Sequence, residues 1–214
     1  RGWFGFGRLV CLLCQKRFDL AVILHTKRRT NLICFLAGIP VRMGYKNNKF
    51  GFLLNRPVAD TRSTGEKHEA QYCLDVLKGV GVVSSDLRLD VVVNEDDLCW
   101  ADRFKQDYHV VEDDRVIAVH CGASDPAKQW PAARFAELID ALVGRYSARG
   151  VMVGAAELRP TVDKIKSLIQ GKVMDATGMT TVGQLAGLLS RCHLLISNDS
   201  GPVHLAAGVG TPVI

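Results

Sequence analysis

The 214-residue chain carries 27 Lys+Arg against 22 Asp+Glu, a formal charge of +5, with 48% hydrophobic and 23% charged residues. That balance excludes wholesale disorder and leaves enough apolar material for one large domain or two small ones. No run reaches the ~20 apolar residues needed to span a bilayer.

The charge is unevenly placed. Residues 1–60 hold 11 basic residues and two acids, a net +9, whereas residues 61–214 net −4. An anionic partner for the first segment, or a merely solvated basic face, would each account for the split. The opening RGWFGFGRLVCLLCQKR is basic and apolar but lacks the small-residue cleavage pattern of a signal peptide. There is no initiator Met, and the chain stops at TPVI within a strand-like run, so a piece of a longer protein, truncated at both ends, is expected.

In chain order, Phe18–Thr26 reads as a buried strand and Arg28–Ile39 as a helix stopped by Gly38. VRMGYK is a short strand, and the turn-rich stretch that follows is a loop. His68–Val82 reads as an amphipathic helix and Leu87–Val93 as a strand. Asn94–Asp114, strongly acidic, reads as a linker. From Arg115 strands and helices alternate: VIAVHCG, then Ala132–Tyr146; GVMVGA, then LRPTVDKIKSLI; KVMDATG, then TVGQLAGLLSRC with Thr181 as N-cap; HLLISND, then PVHLAAGV; and TPVI as a last strand. Short links between alternating elements predict a parallel sheet with helices on both faces. The seven cysteines, an odd number, lie mostly in apolar stretches, and Cys11 and Cys14 form a solitary C-x-x-C unit. Buried thiols in a reducing compartment are expected, with no metal site.

Ligands of doubly wound sheets bind beyond the carboxyl ends of the strands. Two polar clusters fall there. In CGASDPAKQWP, the small residues Gly122, Ala123 and Ser124 let backbone approach a ligand, Lys128 is a movable cation, and Pro131 suits a helix start. The stretch is a phosphate cradle or a plain strand-to-helix connection. In ISNDSGPVHLAAG, Pro202 at the first helical position makes Gly201 the N-cap. Unpaired N–H groups and the helix dipole then favour an anion there. Ser200 can donate to it and His204 lies one turn in. Asp199 would accept loop N–H groups or bind a sugar hydroxyl. The alternative is an ordinary capped helix with a core histidine. A nucleophilic Ser200 is disfavoured, because NDSGP lacks the first glycine of G-x-S-x-G and Pro202 removes an N–H from the oxyanion site.

Together, GASDPAKQWPAARFAELIDAL and LISNDSGPVHLAAGVGTPVI resemble glycosyltransferase family 9, the lipopolysaccharide heptosyltransferases, and FDLAVILHTKRRTNLICFLAGIPVRMGY is similar to the family's N-terminal domain. The resemblance implies an α/β, GT-B-like fold of two Rossmann-like domains with parallel sheets. Residues 1–105 would be a partial N-terminal acceptor-binding domain with linker. Residues 106–214 would be the nucleotide-sugar-binding domain, incomplete at its end. The resemblance further implies that Ser124, Lys128, Ser200, Gly201 and His204 meet the donor's diphosphate with Asp199 beside them. Glu157 takes the ribose-binding position, or is simply an acid at a helix start.

The implied reaction is inverting transfer of a sugar, typically heptose from ADP-heptose, to an anionic lipopolysaccharide core acceptor, without metal or other cofactor. Its general base would lie upstream of residue 1. Arg28 and Arg29 are candidate acceptor contacts. The expected setting is cytoplasmic, peripheral to the inner face of the bacterial inner membrane, with no nucleic acid partner. A competing reading is a non-catalytic nucleotide- or nucleic-acid-binding α/β protein using the +9 segment. Against it, only Phe35 and Tyr45 interleave the basic residues between Lys27 and Lys49.

Overall fold

A computed structural model describes residues 3–123 and 125–214. They fall into two compact units, divided between Leu87 and Arg88.

The first unit opens with helix α1 (Trp3–Lys16), which no periodicity argument above anticipated. Strand β1 (Leu20–Ile23), helix α2 (Arg28–Leu36) and strand β2 (Val41–Tyr45) follow in the expected order, but β1 is shorter than expected and only its Ile23 is buried. The turn-rich stretch adds a short strand, β3 (Arg56–Val58), and helix α3 (Glu69–Leu77) is capped by the His68 ring, which accepts from the Ala70 N–H at 3.3 Å. The sheet is parallel in the order β1-β2-β3. Side chains alternate across it. Ile23 faces Cys34 and Ala37 of α2, while Met43 and Tyr45 face Tyr72 and Val76 of α3. Gly44 is required where β2 meets β1, because a Cβ there would lie 2.6 Å from the Ile23 carbonyl oxygen.

In the second unit two expectations fail. Leu87–Val93 forms no strand; Val91 instead donates its N–H to the Gly208 carbonyl at 3.0 Å. Asn94–Asp114 is no linker: it contains helix α4 (Glu95–Asp107). The acids that suggested a solvated tether, Glu95, Asp96 and Asp97, occupy the first turn, where the dipole favours negative charge, and the Asn94 side chain accepts from the Asp97 N–H at 2.8 Å. Behind them Ala101 and Phe104 are buried in the core. The division between units therefore falls at 87/88 and not at 105/106.

The remaining elements follow the predicted alternation: β4 (Val116–His120), α5 (Ala132–Tyr146), β5 (Arg149–Met152), α6 (Arg159–Leu168), β6 (Met174–Asp175), α7 (Val182–Ser190), β7 (Leu194–Ser197) and α8 (Gly201–Gly208). Thr181 caps α7 through a reciprocal pair with Gln184. The expected last strand contributes a single parallel bridge, Leu195 to Val213.

The four strands are parallel in the order β6-β5-β4-β7. Helices α5 and α6 bury Phe135, Ile139, Val162 and Ile165 against Val119 and Met152 on one face. Helices α4, α7 and α8 cover the other, around Ala118, Val151 and Leu195. The small residues Gly183 and Gly187 let α7 close on α4: a Cβ at Gly187 would lie 2.7 Å from the Asp97 carbonyl oxygen. Of the thiols, Cys34, Cys121 and Cys192 are buried, whereas Cys11, Cys14 and Cys99 are exposed, so the expectation of buried cysteines holds only in part.

Candidate functional site

The strand order makes a switch point. From β4 the chain moves outward through β5 to β6, then returns to place β7 on the other side of β4. The loops leaving neighbouring strands β4 and β7 therefore diverge, and the crevice between them is where such sheets take ligands. Both predicted clusters lie at this point, brought together from about 70 residues apart.

Asn198 joins them. Its Nδ2 donates to the Cys121 carbonyl at 2.9 Å, and its Oδ1 accepts the Trp130 N–H at 3.2 Å. One side chain thus clamps both ends of the loop after β4. Lys128, in a single 3-10 turn at Pro126–Lys128, reaches across to form an ion pair with Asp199. The bonded Lys128 ammonium holds the Asp199 carboxyl below the usual carboxylate range. Among the described residues, Asp199 thus partners the lysine and not the loop N–H groups expected above. Both side chains are more than half exposed, which keeps the lysine within reach of a ligand.

Helix α8 starts one residue earlier than predicted. Ser200 is the N-cap, Gly201 the first helical residue, and Pro202 the second. Ser200 does not cap with its side chain. Its Oγ lies 3.0 Å from His120 Nδ1 and 3.0 Å from Ser197 Oγ. His120, at the end of β4, is only 6% exposed, and burial lowers its pKa. With the cap hydroxyl turned to His120, the start of α8 presents its dipole and the Gly201 N–H, since Pro202 has no N–H and Val203 donates to the Ser200 carbonyl at 3.1 Å.

Other assignments change. A Cβ at Gly201 would meet nothing within 4 Å, and its φ is not left-handed, so no local strain demands glycine there. Gly122 is buried, and a Cβ would lie 2.7 Å from Leu158 Cδ1, so its smallness serves packing and not ligand approach. His204 is exposed on α8, which removes the core-histidine alternative. Glu157 is exposed in the turn after β5, on the same rim of the sheet. Ser124 lies outside the described residues. In the first unit, Arg28 and Arg29 are exposed in the first turn of α2, beyond the carboxyl end of β1, and Arg29 stacks over the Phe6 ring at 5.6 Å.

His120 and Asn198 were missed by sequence reasoning. His120 was legible only as a polar residue inside the strand-like VIAVHCG, and Asn198 only as one near the end of HLLISND.

An apolar groove of about 530 Å³ adjoins the start of α8, lined by Leu89, Val91, Val182, Leu185, Pro202 and His204. A cavity of about 610 Å³ opens instead near the amino ends of β5 and β6, beside Arg149, Val173 and Met174, away from the loops that meet at the switch point.

Two parallel-sheet units, the second with polar loops gathered at its switch point, define an α/β protein of the GT-B class. The chain belongs to glycosyltransferase family 9 (heptosyltransferase), whose model matches residues 6–214. It is 28% identical to lipopolysaccharide heptosyltransferase 2 of Salmonella typhimurium, over 97% of this chain and 62% of that protein. Among solved structures it is similar to a family 9 glycosyl transferase from Veillonella parvula, at a TM-score of 0.87 and 27% identity, over 96% of this chain and 60% of that one. The fold is also shared with the ADP-heptose lipopolysaccharide heptosyltransferase II of E. coli, at a TM-score of 0.76 and 23% identity, over 97% and 65% of the two chains. The chain thus spans about three fifths of the length of the relatives it matches.

Proposed function

We propose that this chain is the part of a heptosyltransferase that binds a nucleotide-activated heptose, ADP-heptose, for transfer to a lipopolysaccharide core acceptor. The observation that carries this reading is the convergence of Lys128, Asp199 and Ser200 with the start of α8 at the β4–β7 switch point. In a family of heptosyltransferases, a concentration of anion-binding groups there suits the donor's diphosphate. A structurally similar heptosyltransferase is itself described by its use of ADP-heptose.

An acceptor hydroxyl attacks the anomeric carbon, the bond to the diphosphate breaks, and the configuration inverts. The leaving group gathers negative charge as that bond breaks. Lys128, the Gly201 N–H with the α8 dipole, the Ser200 hydroxyl and His204 are the groups to stabilise it, without a divalent cation. Ser124, four residues before Lys128 in the sequence, and Gly201 join the diphosphate contacts, and Glu157 on the same rim takes the ribose hydroxyls. The second unit is the donor domain and the first the acceptor domain. The proton of the attacking hydroxyl requires a base, and none is assigned among these residues.

The test is transfer by the full-length protein from ADP-heptose and from other nucleotide sugars, with and without EDTA, reading product configuration by NMR. Turnover with ADP-heptose should persist in chelator. Activity lost in EDTA and restored by magnesium or manganese would overturn the metal-independent step, and transfer from a different donor alone would overturn the heptose assignment.

The net +9 of residues 1–60 supports an anionic, membrane-borne acceptor and action at the inner face of the inner membrane; none of the described helices is long and apolar enough to cross a membrane. Arg28→Glu with Arg29→Glu should raise the acceptor KM and leave donor affinity unchanged. The wild-type KM should rise with salt, since exposed charges are screened beyond ~8 Å at physiological ionic strength. Equal damage to both substrates would argue against acceptor contact.

A further inference from the structure

The hydrogens around His120 can be counted. Ser197 Oγ donates its one hydrogen to the Asn198 carbonyl at 2.7 Å, so towards its other neighbours it can only accept. His120 Nδ1 lies 3.2 Å from that oxygen and 3.0 Å from Ser200 Oγ. Were Nδ1 unprotonated, its lone pair would face a Ser197 lone pair at that 3.2 Å. The Ser200 hydrogen would then be drawn inward to the ring. With a proton on Nδ1, both serine oxygens have a donor. When the Ser200 hydrogen swings outward, Ser197 keeps that donor, and no buried acceptor is left bare.

We propose that His120 is a positioning residue: its Nδ1–H donates to the Ser197 and Ser200 hydroxyl oxygens and so frees the Ser200 hydrogen to point at an anion bound at the start of α8. The inference rests on the reading of this site as a diphosphate site. Burial, which disfavours the imidazolium, keeps the ring neutral with a single N–H. The arrangement extends the site one residue deeper into the sheet. A hydroxyl that would otherwise cap its own helix or bond inward becomes a committed outward donor. His120 itself never touches the ligand.

Two measurements on the full-length protein test this. Long-range proton–nitrogen NMR spectra of histidine-labelled protein should show a neutral ring protonated on Nδ1, with signals that vanish in His120→Asn. An Nε2-protonated ring would overturn the proposal. ADP affinity, read by calorimetry, should fall about tenfold in His120→Ala, the scale of one hydrogen bond. It should recover largely in His120→Asn, whose amide N–H can stand near the Nδ1–H position. In a Ser200→Ala background, His120→Ala should add nothing further. Additive losses would make His120 a packing residue and overturn the proposal. Wild-type protein that fails to bind ADP would instead overturn the diphosphate reading on which the proposal stands.

Discussion

Phe135→Ala should lower the stability of the second unit by about 3–5 kcal/mol, the range for truncating a buried aromatic. Phe135 is 1% exposed and lies among Val119, Cys121, Met152, Ile139, Val162 and Ile165. These residues come from two strands, two helices and the loop after β4, which cannot all collapse into the vacated volume. The loss is a large share of the ~5–15 kcal/mol that holds a typical domain folded. Denaturant unfolding of the full-length protein should show a lower midpoint with little change in slope. The effect should reach the site as well. The Trp130 ring packs edge-on against Phe135 at 5.1 Å, and the Trp130 N–H is the one Asn198 accepts. Folded Phe135→Ala protein should therefore bind ADP more weakly than wild type, and Phe135→Leu should restore most of both properties. A loss under 1 kcal/mol would mean that this core is not the one holding α5 to the sheet.

Lys128→Ala should weaken ADP binding by about 1.5–3 kcal/mol, the worth of a hydrogen bond to a charged group, or roughly 10–150-fold in Kd. In the structure the lysine is paired with Asp199. Both partners are well exposed, so solvent screens the pair and it yields readily to a stronger anion. Removing the lysine leaves the Asp199 carboxylate beside the diphosphate without a counter-charge, which pushes the expected loss toward the upper end. Asp199→Asn separates the two effects: it releases Lys128 and removes the repulsion, so ADP affinity should hold or rise. Calorimetry on the full-length protein reads both. Unchanged affinity in Lys128→Ala would remove the lysine from the site.

Much of the second unit was legible from local signals. Strand–helix alternation from Val116 onward, the Thr181 cap and the two polar strand ends are written in neighbouring residues, because burial imposes a period and turns demand particular side chains. The failures are equally physical. Acids at Glu95–Asp97 look like a tether when counted as charge and like a helix start when placed on a dipole; only the burial of Ala101 and Phe104 beneath α7 decides. Leu87–Val93 has strand composition but finds no edge to pair with, since its Val91 N–H goes to the end of α8.

What the sequence determined by itself was the α/β class, the family and which short stretches carry polar chemistry. All of these depend on residues close together in the chain. Which polar groups meet was decided only by the tertiary structure. His120 and Ser200 are 80 residues apart, and Asn198 and Cys121 are 77. They touch because β7 inserts beside β4 and not beyond β6. Strand order is settled by long-range pairing and by the packing of helices on both faces. The same β4 and β7 segments placed non-adjacent in the sheet would keep every motif and lose the site.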